Sequence, residues 1–433
     1  MVSWTYIRSL PKKALKSEIL KVFSLTSLST IIKMATGFIT IKVISVIIGP
    51  SGIALLGQLS SFSAIVLTLA TGGISFGVTK YVAEFSDNEK QLKKLLSTAF
   101  SVVLFSSLSC GLLLVVFRDY LSIKIFLTSQ YSYVFLVFGV TILLYSLNMT
   151  MLSIVNGFKE FKSYVNINIV NSIIGLIFTI IAVYFFGLRG GLVAAVSYQS
   201  FVFFVTIYIL RNKFWLSKKY FLNGFDWAIF KKYLNYSLMA LTSAATVPVS
   251  QLLIRGRLIK TISVSEAGYW EAMNQLSNMY LMIVTTSLSV YYLPTFSKAA
   301  NNNELRDEIF KGYKIIMPLL FLGLIVLYFI RFEIIELVYT SDFSSMSELF
   351  IYQFIGDFFK IAGWLLAFNM LARSMTKTFI TTEICFSALY VVNSYWLVNV
   401  GGTVVGVTQA YLINKVLYFI IMLIVFRKVI WIK

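Results

Sequence analysis

The sequence contains no histidine, and this absence excludes much of enzyme chemistry. Of its 433 residues only two are cysteines and five are prolines. Cys110 and Cys385 lie in apolar runs without the spacing of a metal site or a redox pair, so zinc centres, haem ligation and His-dependent nucleophiles are not supported. A G-x-x-x-x-G-K-[ST] phosphate loop is also missing. We therefore expect a protein that is not an enzyme and needs no cofactor.

Acidic residues are scarce as well, with 18 Asp and Glu against 37 Lys and Arg, which gives a formal net charge of +19. Apolar residues make up 58% of the chain and charged residues only 13%. This composition is typical of an integral membrane protein. Because the basic residues lie mainly between apolar runs, we attribute the positive charge to membrane topology and not to a nucleic-acid partner.

Twelve apolar runs approach or exceed the roughly 20 residues needed to cross a bilayer. They cover about 19–48, 50–82, 93–117, 131–156, 163–186, 190–210, 232–260, 265–297, 305–330, 347–373, 378–399 and 402–427. Most basic residues fall at the two ends and in the connections that follow even-numbered spans, which predicts cytoplasmic termini. The connections are short, and this weighs against a membrane polymerase or glycosyltransferase with a large outer loop.

The two halves of the chain resemble each other weakly. The tripeptide QLS occurs at Gln58–Ser60 and again at Gln275–Ser277. Together with six spans per half, the repeat indicates a parallel duplication. We predict an N-terminal six-helix bundle over 1–212, a cytoplasmic linker over 213–232 and a C-terminal six-helix bundle over 233–433.

We assign four lysines, Lys33, Lys42, Lys360 and Lys415, to the interior of predicted spans, and the others to the connections and the ends of spans. A charge at the bilayer centre costs about 2.5 to 3.5 kcal/mol, so each lysine requires a wet cavity, a partner or a route to the interface. Lys33 shares a helix face with Ser, Thr and Gly residues, which predicts a cavity. Lys42 points the other way, where ligand contact and snorkelling to the outer headgroups are equal alternatives.

The second half carries the remaining charged candidates. Asp357 and Lys360 are spaced either to neutralise each other or to line a cavity. Lys415 lies on a tyrosine stripe that suits sugar binding or helix packing. Arg255, near the outer end of its span, is either a headgroup anchor or a phosphate ligand. Because few acids lie within spans, the interior is biased positive, and we expect an anionic, polar substrate.

Five stretches resemble the Wzx-type flippases, in the polysaccharide-transport branch of the multidrug/oligosaccharidyl-lipid/polysaccharide (MOP) exporter superfamily. They are GPSGIALLGQLSSF (Gly49–Phe62), FGVTKYVAEF (Phe76–Phe85), SLSVYYLPTFSK (Ser287–Lys298), IGDFFKIAGW (Ile355–Trp364) and QAYLINKVLYF (Gln409–Phe419). The matches follow the family's order over nearly the whole chain.

The resemblance implies an all-α membrane protein of about 12 transmembrane helices in two six-helix bundles, forming a V around a cavity that opens alternately to each side. Such proteins carry an undecaprenyl-pyrophosphate-linked oligosaccharide, the O-antigen repeat unit, from the cytoplasmic to the periplasmic leaflet of the bacterial inner membrane. Membrane lipids, H+ or Na+, a polysaccharide polymerase and a chain-length regulator are the further partners that we expect.

The positions that match the family's charged pattern are Lys33, Lys42, Lys80, Arg255, Lys360, Asp357 and Glu383. We predict the basic residues among them, together with Lys415, to bind substrate, and Asp357 and Glu383 to couple an ion or to gate. A non-basic residue is expected at position 415 in a flippase for lipid III of enterobacterial common antigen, so Lys415 favours an O-antigen unit. A lipid III flippase and a cation-coupled multidrug antiporter of the same superfamily remain alternatives.

Overall fold

The computed structural model describes residues 12–288, 296, 301–372 and 375–430, and these residues form helices without any strand. The helices of the first half are α1 (Lys12–Ala70), α2 (Ser75–Phe85), α3 (Glu89–Val116), α4 (Arg118–Phe126), α5 (Ser132–Gly157), α6 (Phe161–Leu210) and α7 (Lys218–Phe221). Those of the second half are α8 (Trp227–Thr261), α9 (Val264–Ser287), α10 (Asn302–Phe329), α11 (Arg331–Val338), α12 (Phe350–Ala372), α13 (Thr376–Gly401), α14 (Val405–Val425) and α15 (Arg427–Ile430). Short 3-10 helices cover Ser129–Tyr131 and Ser341–Leu349.

Eight helices in the described part of the chain are long and apolar enough to cross a membrane, and two of them, α1 and α6, are far longer than one span requires. Gly49 (φ 63°) interrupts α1 and Gly187 (φ 55°) interrupts α6. Positive φ is accessible to glycine without steric cost, so each glycine allows the chain to bend sharply. α6 therefore holds two of the predicted spans, α1 holds one and most of the next, and the predicted all-α membrane fold is confirmed.

One predicted span differs from the structure. The run over 50–82 does not continue as a single helix, because α1 ends at Ala70 and α2 begins at Ser75. Gly72 and Gly73 both have positive φ (63° and 65°) between them. Two consecutive residues in the left-handed conformation end a right-handed helix. The sequence stays apolar across this helix break, so hydropathy alone does not reveal it.

The chain divides into two compact units. The first consists of Met1–Ile47 and Leu59–Ala245, and the second of Ile48–Gln58 and Thr246–Lys433. The boundaries predicted at 212 and 233 stay a prediction. In the first unit, Trp215 and Tyr220 from the segment 213–232 belong to the buried apolar core.

Ile48–Gln58, a short piece of α1, packs within the second unit. The Ser51 and Ser265 hydroxyl oxygens lie 3.0 Å apart. A Cβ added to Gly268 on α9 would lie 2.0 Å from the carbonyl oxygen of Pro50, so only glycine permits this approach. These contacts fix the segment against the start of α9.

Candidate functional site

The second unit contains a cavity of about 300 Å³. Its wall is formed by five helices, α8, α9, α12, α13 and α14. The lining side chains are Val247, Ser250, Gln251, Trp270, Asn274, Ser277, Asn278, Gln353, Lys360, Trp364, Glu383, Phe386, Ser387, Tyr390, Tyr411, Asn414, Lys415 and Tyr418. We call it the second-unit cavity. Most of these residues are polar or aromatic, although their helices are apolar overall.

Helical periodicity places these side chains on one face of each helix. On α13 the lining residues are Glu383, Phe386, Ser387 and Tyr390, at relative positions i, i+3, i+4 and i+7. On α14, Tyr411, Asn414, Lys415 and Tyr418 repeat the same spacing. Residues three, four and seven apart share a face of an α-helix. The cavity is therefore encoded as polar stripes on helices whose other faces are apolar.

Two glycines of α12 allow α14 to approach closely. A Cβ added to Gly356 would lie 2.6 Å from the Tyr411 ring, and one added to Gly363 would lie 2.8 Å from the Tyr418 ring. Because the glycines are seven residues apart, they present a smooth strip on one face of α12. The two tyrosines that line the cavity are thereby held against that strip.

Asp357 lies behind the cavity wall and is fully buried. Its Oδ2 accepts hydrogen bonds from the hydroxyl of Ser277 (2.6 Å) and from that of Tyr280. Its Oδ1 accepts from the Tyr411 hydroxyl (2.7 Å) and from Gln353 Nε2 (3.4 Å). A buried carboxylate requires such donors, since it would otherwise be uncompensated. The carboxylate therefore ties α9, α12 and α14 together.

The cavity brings together three of the predicted charged residues, Lys360, Lys415 and Glu383. Lys360 Nζ lies 5.7 Å from the centre of the Trp364 ring, and Lys415 Nζ lies 5.3 Å from that of Tyr411. Among the described residues, neither ammonium group has a carboxylate oxygen within the 4.0 Å of an ion pair. Asp357 and Lys360 thus do not form the self-neutralised pair that was one of the two expectations.

Arg255 is buried next to the cavity wall in a separate charged network. Its guanidinium pairs with the carboxylate of Glu271, donates to Gln58 Oε1 (3.1 Å) and lies 5.4 Å from the centre of the Trp270 ring. Gln275 Nε2 donates to the other oxygen of Glu271 (3.0 Å). The glutamine of each QLS tripeptide therefore binds one member of the same ion pair: Gln58 binds Arg255, and Gln275 binds Glu271. Arg255 itself does not line the cavity.

The remaining predicted basic residues belong to the first unit. The side chains of Lys33 and Lys80 are exposed, and that of Lys42 is half-buried. Lys80 Nζ lies 5.0 Å from the centre of the Tyr81 ring. On the predicted polar stripe, the Thr36 hydroxyl donates to the carbonyl of Ile32 (2.9 Å), within its own helix. The substrate-binding role of these lysines stays a prediction.

Several lining residues did not emerge from the sequence. Trp270, Asn274, Asn278, Tyr390 and Asn414 carry no charge, so nothing marked them among many uncharged residues in apolar spans. A search for amides and aromatic residues at i, i+3, i+4 and i+7 within each span would have found the α13 and α14 sets. The motif at Ser287–Lys298 lies mostly outside the described residues.

The family model for polysaccharide biosynthesis proteins matches residues 19–300, more than half of the chain. The chain belongs to this family. Among curated proteins it is 26% identical to the lipid III flippase of Escherichia coli (strain K12) over 394 residues, which cover 91% of this chain and 94% of the relative. The lipid III flippase of Shigella flexneri matches to the same extent.

Solved structures show the same fold at low sequence identity. An inward-facing multidrug resistance transporter of the MATE family, a member of the MOP superfamily, matches with a TM-score of 0.72 at 12% identity, covering 93% of this chain and 95% of that one. The lipid II flippase MurJ in an inward closed conformation matches with a TM-score of 0.70 at 15% identity, covering 94% and 87%. The chain therefore has the fold of the MOP transporters.

Proposed function

We propose that this protein is a flippase that moves a lipid-linked oligosaccharide across the bacterial inner membrane by alternating access. The observation that carries the proposal is the 26% identity with a lipid III flippase over 91% of the chain. The polar cavity in a membrane-spanning unit supports it, since a polar headgroup crossing the bilayer needs hydrogen-bonding and charged partners to replace water. The protein would act as a transporter, with no bond made or broken.

The proposed substrate is an undecaprenyl-pyrophosphate-linked O-antigen repeat unit. In this mechanism Lys33 and Lys80 meet the pyrophosphate first, from the cytoplasmic side, and Lys42 and Lys360 are later contacts of the pyrophosphate and sugar head, with Lys360 at its sugar part. Arg255 is paired with Glu271, so it could serve the substrate only if that ion pair opened. Both termini would be cytoplasmic, and a polymerase and a chain-length regulator would act on the product at the periplasmic face.

Ion coupling is proposed for the two acids near the cavity. Glu383 lines it directly, whereas Asp357 is engaged by four hydrogen-bond donors from three helices. Binding of H+ or Na+ at either carboxylate would change its hydrogen bonds and bias one conformation over the other, since a ligand shifts a conformational equilibrium only through differential affinity.

Complementation tests the flippase proposal. In a strain that lacks its own O-antigen flippase, the wild-type chain should restore surface O-antigen, whereas Lys33→Ala and Lys360→Ala should each reduce it strongly. Lys124→Ala serves as the control, because this lysine is exposed on α4 and lies outside the predicted spans. Normal surface levels from both variants would contradict the basic-cavity mechanism. Failure of the wild type to restore any O-antigen would contradict the function in this pathway.

A cation-coupled multidrug antiporter is the second candidate, because the fold is as similar to a MATE transporter as to MurJ. This alternative predicts that cells expressing the chain export cationic dyes and resist their toxicity. Dye export without complementation would favour the antiporter.

A further inference from the structure

We propose that the second-unit cavity binds a sugar residue bearing one carboxylate, and that it does not bind the pyrophosphate. The inference rests on the proposed function, and it assigns one part of the substrate to one site. A single acidic sugar of the lipid-linked glycan, for instance a uronic acid, would place its carboxylate between Lys360 and Lys415. Its ring would lie among the aromatic and amide side chains of the wall.

The first argument is the charge of the lining. Lys360 and Lys415 supply two ammonium groups, and Glu383 is the one acid among the described lining residues. Their sum is one positive charge, which matches a monoanion. A pyrophosphate diester carries two negative charges and would also face the Glu383 carboxylate, and like charges that share a site repel each other. Asp357 is not counted, because it lies behind the wall and its two oxygens already accept four hydrogen bonds from protein donors.

The second argument is the rest of the lining. Trp270, Trp364, Tyr390 and Tyr418 provide broad apolar faces, which suit the C–H faces of a sugar ring. The amides of Asn274, Asn278 and Asn414 provide donors and acceptors for hydroxyl groups. Glu383 can accept hydrogen bonds from the same hydroxyls. A pyrophosphate would use neither the aromatic faces nor the acceptors.

The third argument is unused hydrogen-bonding capacity. Asn274 Nδ2 and Gln353 Oε1 are buried and have no hydrogen-bond partner within the described part of the chain. Gln353 is 1% exposed, and its Nε2 is already used by Ser277 and Asp357. A buried polar atom without a partner is costly, and native proteins rarely retain one without a reason. Both side chains line the cavity, so a small rotation of each would offer one donor and one acceptor to a ligand hydroxyl group, which itself both donates and accepts.

The size of the cavity fits part of a glycan. At about 300 Å³ it is at the small end of ligand pockets, which suits one sugar ring better than a whole oligosaccharide repeat. The two glycines that hold Tyr411 and Tyr418 against α12, and the four donors around Asp357, fix this wall before the ligand arrives. A preorganised wall favours recognition of one ring geometry.

The experiment uses two substrates that differ in a single group. Undecaprenyl-pyrophosphate-linked disaccharides ending in glucuronic acid or in glucose are offered to the full-length protein in proteoliposomes, and flipping rates are compared. Lys415→Ala should reduce flipping of the acidic substrate by about ten- to a hundredfold, the effect of losing a hydrogen bond to a charged group. The neutral substrate should change by less than about threefold, and Lys415→Arg should restore most of the acidic-substrate rate.

A competitor without sugar separates the two parts of the substrate. Undecaprenyl pyrophosphate should inhibit flipping by the wild type and by Lys415→Ala with equal potency, because in this proposal the lysine does not contact the pyrophosphate. Equal losses for both disaccharides, or weaker inhibition of the variant, would overturn the acidic-sugar site and leave the flippase function standing. Absence of flipping by the wild type with either substrate would instead refute the proposed function. Lys311→Ala, on α10 and outside the cavity, is the matched control.

Discussion

The side chains of Arg255 and Glu271 form a buried ion pair in the second unit. Arg255 is 1% exposed, and both charges depend on each other and on the two glutamines of the QLS repeats. Removing one charge of such a pair leaves the other uncompensated in a medium of low dielectric constant. The intact pair therefore adds little net stability, whereas removal of one of its two charges destabilises the protein strongly.

Glu271→Ala should lower the free energy of unfolding by about 3 to 5 kcal/mol, because Arg255 would remain buried without a counter-charge. The double variant Arg255→Met with Glu271→Leu should recover most of this loss, since it removes both charges and retains volume. Thermal unfolding in detergent measures both. If the double variant were no more stable than the single one, the uncompensated charge would not be the cause.

The same double variant tests the predicted substrate-binding role of Arg255. A folded double variant that exports O-antigen normally would show that Arg255 is a structural residue. A folded double variant without export would support a contact with the substrate.

Asp226 precedes α8 and combines two stabilising roles. Its Oδ1 accepts from the backbone amides of Ala228 (2.9 Å) and Ile229 (3.2 Å), and its Oδ2 pairs with Lys94 Nζ (3.0 Å). The hydrogen bond from Lys94, followed by that from the Ile229 amide, lowers the pKa of Asp226 below its ordinary value of 3.8. A carboxylate with a lowered pKa stabilises the fold above its ordinary pKa, and this contribution disappears as the pH falls through the lowered value.

Asp226→Ala should therefore cost about 1 kcal/mol at neutral pH, through loss of the helix cap. Asp226→Asn should cost less, because it keeps an oxygen acceptor and loses only a half-exposed ion pair. Thermal unfolding across pH checks the assignment: the difference between wild type and Asp226→Asn should vanish below the carboxylate's pKa. A difference that persists at that pH would rule out the ion pair as its origin.

Among the helices, close packing depends on glycine at a few positions. Gly268 lets the start of α9 rest on the Pro50 carbonyl oxygen, and Gly57 faces Glu271, where a Cβ would lie 2.5 Å from the carboxyl carbon. Gly356 and Gly363 have the same function between α12 and α14. A backbone atom cannot rotate away as a side chain can, so Gly268 should tolerate substitution less well than Gly57, Gly356 or Gly363, which face side chains.

Gly268→Ala should destabilise the protein by about 1 to 3 kcal/mol, the usual effect of overpacking a tight contact. Gly323→Ala is the matched control, because Gly323 lies in α10 with no atom within 4 Å of an added Cβ. That change should be neutral or stabilising by about 0.5 to 1 kcal/mol, since alanine is the better helix former. Equal unfolding temperatures for the two variants would contradict the proposed contact.

For the molecule as a whole, hydropathy and charge in the sequence were sufficient to predict an all-α membrane protein. The helical runs and the membrane class follow from length and composition, and the high cost of charge in lipid marked Lys360 and Lys415 one by one. That these two lysines share a cavity with Glu383 was not predicted. The contacts of Gln58 with Arg255, and through it Glu271, could not be predicted, because they join residues about 200 positions apart by packing and not by periodicity. The aromatic and amide residues that line the cavity were not predicted for the same reason, since only the folded helices bring them together.

Ile48–Gln58 belongs to the second unit although it lies in the first half of the sequence, and this limits where the chain could be cut into two fragments. A C-terminal fragment beginning at Thr246 would carry Arg255 without Gln58 and Gly268 without Pro50. It would expose the surface that this segment covers, and the complementary fragment would display an unpaired piece of helix. We therefore expect that neither half, cut between Ala245 and Thr246, would fold as it does in the whole chain.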